Sequence, residues 1–191
     1  MKDIRGFSLM EILLVAGLVA LVGGFSMMII GPALEARNVD MAARTVSTQM
    51  NRARQFSVDA RRRTRVTFTN PATITVDQQA PVSQGGTWTQ VSTTDLPGEM
   101  EFGIDLAISD GPEGHATSAD IDFSGASLIF FMPDGSAVSS AGIVSNGVVY
   151  VAQPSNQVHT SRAVTLFGST GRIRRWIFDV DENKFQDSTW E

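Results

Sequence analysis

The chain has no cysteine and only two histidines and one tyrosine among its 191 residues. Without cysteine there is no disulfide, no thiolate nucleophile and no Cys-ligated metal. His115 and His159 stand far apart in sequence, without metal-ligand spacing. Aspartate and glutamate are plentiful, yet none lies in a recognisable motif with a histidine or a nucleophile, so the chain reads as a non-enzyme. Asp120 and Asp122 in "SADIDF", and "DVDEN" at 179–183, do not fit a calcium loop. Such a loop needs about twelve residues with Gly at the sixth position and Glu at the last. No cofactor and no metal is implied, and these acidic stretches read as solvated loops.

Charge is also scarce, at 18% of residues, but it is unevenly placed. Residues 35–65 carry eight arginines against Glu35, Asp40 and Asp59, a balance of +5. Residues 66–191 carry five basic and fifteen acidic residues, a balance of −10. This pattern separates a basic rod from an acidic head. Ahead of the rod, Phe7 to Ile30 read "FSLMEILLVAGLVALVGGFSMMII", in which Glu11 is the sole charge. As a helix this run spans roughly 36 Å at about 1.5 Å per residue, enough for a hydrocarbon core of about 30 Å. It is too long for the h-region of a secretory signal peptide, and "GPALEA" makes a poor cleavage site for one. A plain membrane anchor explains everything except Glu11, because a carboxylate in hydrocarbon is costly and marks function.

"MKDIRGFSLMEILLVAGLVAL" resembles the leader and helix of type IV pilins and type II secretion pseudopilins. In that pattern a short basic leader ends in Gly, the mature chain opens on Phe, and its fifth residue is Glu. The resemblance implies a leader over residues 1–6, cleavage between Gly6 and Phe7 by a prepilin peptidase, and N-methylation of Phe7. It also implies an assembly role for Glu11: its carboxylate neutralises the new α-amine of a neighbouring subunit, a pairing that rewards lateral assembly. Gly17, Gly23 and Gly24 suit close helix packing in a membrane or fibre core. Gly31-Pro32 marks a kink or brief break, since proline removes an intrahelical donor.

Residues 7–32 are thus expected as a transmembrane and assembly helix, and 33–65 as an amphipathic basic helix. In the latter Leu34, Met41, Ala42, Val46, Met50, Ala53, Phe56 and Ala60 recur at helical steps. Its dense end, "ARRRTR" at 60–65, either complements the helix dipole or contacts a neighbouring subunit or polyanionic material. From residue 66 to 191 the period switches to two, giving a β-rich head. Strands are expected in "RVTFT", "ATITVD", "GGTWTQVS", "EMEFGI", "SLIFFM", "SRAVTLFG" and "GRIRRWIFDV", and a long loop over 105–126. "GIVSNGVVYVAQ" reads as a hairpin, with Asn146-Gly147 as a two-residue type I′ turn. The fold class is α+β: a long N-terminal helix, half membrane and half amphipathic, packed on a C-terminal antiparallel β head.

"FFMPDG", followed by a strand pair and then "AVTLFGSTGRIRRW", resembles the C-terminal half of GspH/FimT-type minor pseudopilins and pilins, as does "ARQFSVDARRRTRVTF". The stretch from 78 to 126 carries no such pattern. In a strand, Arg172, Arg174 and Trp176 project from one face. With Arg175 they form a candidate DNA-binding group, since arginines beside an aromatic ring suit phosphate contact and base stacking. The FimT resemblance implies DNA uptake through a Gly-Arg-x-Arg motif. The alternatives are an edge strand whose arginines discourage aggregation and an acidic head that repels polyanions. The expected function is a minor pseudopilin of a type II secretion system, helping to form the tip that exports folded proteins. A DNA-binding minor pilin is the alternative. Expected partners are the prepilin peptidase, other pseudopilins or pilins in a fibre, the inner membrane, secreted cargo and, less favoured, DNA. The expected location is the bacterial inner membrane, single-pass with the head in the periplasm, and then the fibre.

Overall fold

A computed structural model describes residues 9–81, 83, 85–105 and 107–188, the side chains of 25–35 excepted. Two compact units, residues 1–37 and 38–191, make up the chain. The leader, Gly6 and Phe7 lie outside the described residues.

In the first unit, helix α1 (Leu9–Ala60) begins. Its side chains from Leu9 to Gly24 are all exposed, with Leu9 77%, Met10 80% and Leu13 65% accessible. The helix continues through Gly31 and Pro32, where a kink or brief break was expected, so the chain does not leave the helix there. Among the described residues, no helix is long and apolar enough to cross a membrane.

In the second unit the amphipathic stripe of α1 is packed. Val39, Ala42, Val46, Met50 and Ala53 are fully buried at three- and four-residue steps, and Ala43 nearly so. The helix ends at Ala60, not at 65 as expected, because Arg61 turns to a left-handed φ of 52°. Arg61 N–H then donates to Val58 O and Arg62 N–H to Ser57 O, the Schellman pattern that satisfies the last carbonyls. The "RTR" at 63–65 therefore leads out of the helix, and Thr64–Thr69 form β1.

Two antiparallel sheets follow. The first has the order β3-β2-β1-β6-β7, from β1, β2 (Thr73–Gln79), β3 (Trp88–Asp95), β6 (Leu128–Phe131) and β7 (Ala137–Val138). The second has the order β11-β10-β9-β8-β4. It joins β4 (Glu101–Phe102), β8 (Gly147–Ala152), β9 (Arg162–Phe167), β10 (Arg172–Asp179) and β11 (Lys184–Asp187). Short β5 (Ile121–Asp122) also pairs with β8, and a turn of helix α2 (Gln157–Thr160) connects β8 to β9. The helix stripe, the inward residues of the first sheet (Val66, Phe68, Ile74, Val76, Ile129, Phe131) and Val149, Val151, Val164 and Leu166 of the second make one core. Each Val, Leu, Ile, Phe or Met side chain among them contributes about 1.5–3 kcal/mol. The helix thus packs on antiparallel sheets, the expected class.

The second sheet carries a core on its other face too. Val148, Tyr150, Ala163, Phe178 and Phe185 pack with Ile104 and Ile108. The first part of the 105–126 stretch, expected as a loop, is therefore a lid on that face and holds a 3-10 turn (Pro112–Gly114), while its end pairs β5 with β8 and sends Phe123 into the first core. Tyr150 Oη donates to Ala116 O at 3.1 Å, and a Cβ on Gly111 would fall 2.4 Å from that hydroxyl. This double burial explains why β8 is apolar throughout rather than alternating.

The expected hairpin at Asn146-Gly147 is not formed. Val144 bridges to Val138, whereas Gly147 opens β8, whose partners are β9, β4 and β5. Neither Asn146 nor Gly147 has the positive φ that a type I′ turn requires. Gly147 is needed for space: a Cβ there would lie 2.0 Å from the Phe123 ring.

Candidate functional site

On α1, Glu11 lies on an open helix surface beside Ile12, Val15 and Ala16, which line a shallow apolar recess with it. A Cβ added at Gly17, Gly23 or Gly24 would meet nothing within 4 Å. From Leu9 to Gly24 the helix surface is therefore bare all round.

In the head, two glycine turns converge on one helix residue. Arg54 Nε donates to Gly135 O at 3.1 Å, and a Cβ on Gly171 would fall 2.2 Å from that oxygen and 2.7 Å from Arg54 Nε. Gly135 and Gly171 have φ of 82° and 62°, which L side chains rarely adopt. One turn below, Ser57 Oγ donates to Met132 O at 3.0 Å. "MPDG" and "STGR" are thus the two turns that seat on the helix. Beside them an open groove of about 690 Å³ is lined by Asn51, Arg54, Phe167 and Arg172, among others.

The arginines of "GRIRRW" are divided by the strand's alternation. Arg172 and Arg174 stand opposite Phe167 and Thr165 on the lid face, as does Trp176 opposite Ala163. Glu113 of the lid reaches between the two arginines, with Oε1 3.4 Å from Arg172 and 3.5 Å from Arg174; Arg174 is also 3.7 Å from Asp187. Glu113 holds this place at a left-handed φ of 54°. Arg172 also lies over the Phe167 ring at 5.6 Å. Trp176 is half-buried and donates its indole N–H to Thr165 Oγ1 at 2.9 Å. Arg175 falls on the opposite face, near Asp40, Arg44 and Arg162. The four residues expected to act together therefore form a paired couple, a packed indole and a separate cation. Sequence spacing gave no sign of Glu113, which lies 59 residues from Arg172.

The buried Arg162, 8% exposed, donates through Nε to Asp40 of the helix at 2.7 Å and through Nη1 to Ser161 O. His115 in the lid is half-buried, and that burial lowers its pKa below 6.5 although Glu113 and Asp122 pull it upward. The carboxylates weighed for calcium organise turns instead: Asp122 accepts Gly125 N–H, and Asp179 accepts the N–H groups of Asp181 and Glu182. Among the described residues, no cluster of His, Asp and Glu is placed to hold a metal ion.

No protein-family model and no curated protein matches the chain. Among solved structures, it is similar to the type IV minor pilin FimU of Pseudomonas aeruginosa strain PAO1. That match has 12% identity and a TM-score of 0.48, covering 72% of this chain and 87% of that one. It is also similar to the minor pseudopilin EpsH from the Type 2 Secretion System of Vibrio cholerae, at 11% identity and a TM-score of 0.48, covering 72% and 95%.

Proposed function

We propose that this chain is a minor pseudopilin of a type II secretion system, cleaved between Gly6 and Phe7, N-methylated on Phe7, and held in the inner membrane until it joins a fibre. The observation that carries this reading is "GFSLME": a Gly-Phe step with Glu11 at the fifth mature position, opening a membrane-length apolar run. A bare apolar helix surface bearing Glu11 and a helix stripe seated on an antiparallel head support it. The fibre's other subunits and the exported proteins are the partners that follow.

The secretion reading is preferred to a DNA-binding pilus subunit because Arg172 and Arg174 already share the Glu113 carboxylate. A phosphate backbone would have to displace it. Co-expression with a prepilin peptidase tests the proposal. Mass spectrometry should show a chain beginning at a methylated Phe7, and Gly6→Ala should block the cut. A chain that keeps its leader beside an active peptidase would overturn the reading. Glu11→Ala should be cut normally yet fail to enter fibres; normal incorporation would refute the pairing of Glu11 with a neighbour's amine.

A further inference from the structure

The arginine run that closes the helix is left unexplained by any of the roles above. It begins after the last helical turn, which itself holds no basic residue, so the helix dipole gives little reason for it. Arg61 occupies the left-handed position that ends the helix, where glycine would be relaxed and any other side chain is strained. Arg61 and Arg62 are exposed, and neither forms an ion pair among the described residues. Arg63 lies over the Phe130 ring at 5.0 Å, with its buried Nε lacking an acceptor. Arg65 lies over the Trp88 ring at 4.9 Å and grips Asp77 through Nε and Nη2 at 3.0 and 2.6 Å. Trp88 and Phe130 lean on each other at 5.6 Å. The outer face of the first sheet thus holds a short row of guanidiniums backed by aromatic rings. Asp59, in the last helical turn, is the other acid close by in sequence.

We propose that Arg61, Arg62 and Arg63 form a docking site for the carboxylates of an acidic polypeptide segment. Two observations select that partner among polyanions. Among the described residues, the anion seated next to these arginines is a carboxylate, Asp77 on Arg65. Each ring already carries a guanidinium on one face, so on that face the aromatics fix cations instead of stacking bases. The stacked Arg63 guanidinium has little further freedom to lose on binding, which favours affinity.

The test measures fluorescence anisotropy of a labelled peptide of alternating Glu and Ser against the full-length chain in non-ionic detergent. Salt-sensitive binding is expected, weakened about tenfold by Arg61→Gly combined with Arg62→Ala. Arg61→Gly alone should weaken binding while raising Tm by about 2–4 °C, because it relieves the left-handed strain. Weaker binding in a more stable protein distinguishes a docking role from a structural one. Binding that the double variant retains, or no binding to the peptide, would overturn the proposal. Tighter binding of oligothymidylate, with quenching of Trp88 fluorescence that Trp88→Phe abolishes, would overturn it in favour of nucleic acid.

Discussion

Arg162 shows how one charge can be kept in the interior. Its guanidinium is almost fully buried while its partner Asp40 remains 45% exposed, so the carboxylate carries little desolvation cost and the arginine most of it. Removing the carboxylate leaves a buried cation with a backbone carbonyl as company, whereas removing the arginine leaves an acid that water can reach. Asp40→Ala is therefore expected to cost about 2 kcal/mol, more than Arg162→Met, in urea unfolding followed by circular dichroism. Equal losses would mean that the salt bridge matters through packing alone. Gly171→Ala acts differently, since its Cβ meets the rigid Gly135 carbonyl as well as a φ of 62°. It should cost more than Gly135→Ala, where the nearest atom is the movable Arg54 guanidinium at 3.2 Å.

At the scale of elements, the lid over 105–126 is the part with the least sequence signal and a clear structural duty. Helix and strands were legible because apolar residues recur at periods near 3.6 and 2. The stripe from Val39 to Ala53 and the alternation in β1 and β2 obey those periods. The lid has no period, because it is anchored by isolated contacts: Ile104, Ile108 and the Tyr150 hydroxyl. The same lack hid Glu113, whose partners are fixed by the tertiary fold, and misread Asn146-Gly147, where a turn-forming pair serves Phe123 instead. "GRIRRW" was legible as a strand with alternating faces, but which arginines are free was not. His115 gives the lid a pH signature. Its pKa is lowered by burial in the fold, so the unfolded chain binds more protons below 6.5 and stability must fall with falling pH there. Urea midpoints should drop between about pH 7.5 and pH 5, and His115→Gln should flatten that part of the profile. An unchanged profile in the variant would place the titration elsewhere.

Across the whole molecule, the division of labour lies between two units with opposite demands. Residues 9–24 expose apolar side chains continuously, a surface far larger than a soluble monomer leaves uncovered. The core of the second unit, in contrast, runs from Val39 onward among the described residues, its buried members coming from the helix stripe, both sheets and the segments between strands. Cutting the chain at the division before Asn38 removes none of these core residues. The fragment 38–191 is expected to be soluble without detergent, monomeric in sedimentation, and to unfold in one cooperative transition by near- and far-ultraviolet circular dichroism. Its Trp176 should be shielded from iodide quenching until that transition, since the indole is bonded to Thr165 between strands. Full-length chain should need detergent or lipid to stay dispersed. A fragment that binds hydrophobic dyes or lacks near-ultraviolet signal would show that the head depends on residues before 38. That result would mean that residues before 38 shape the fold that follows them, which the makeup of the described core argues against.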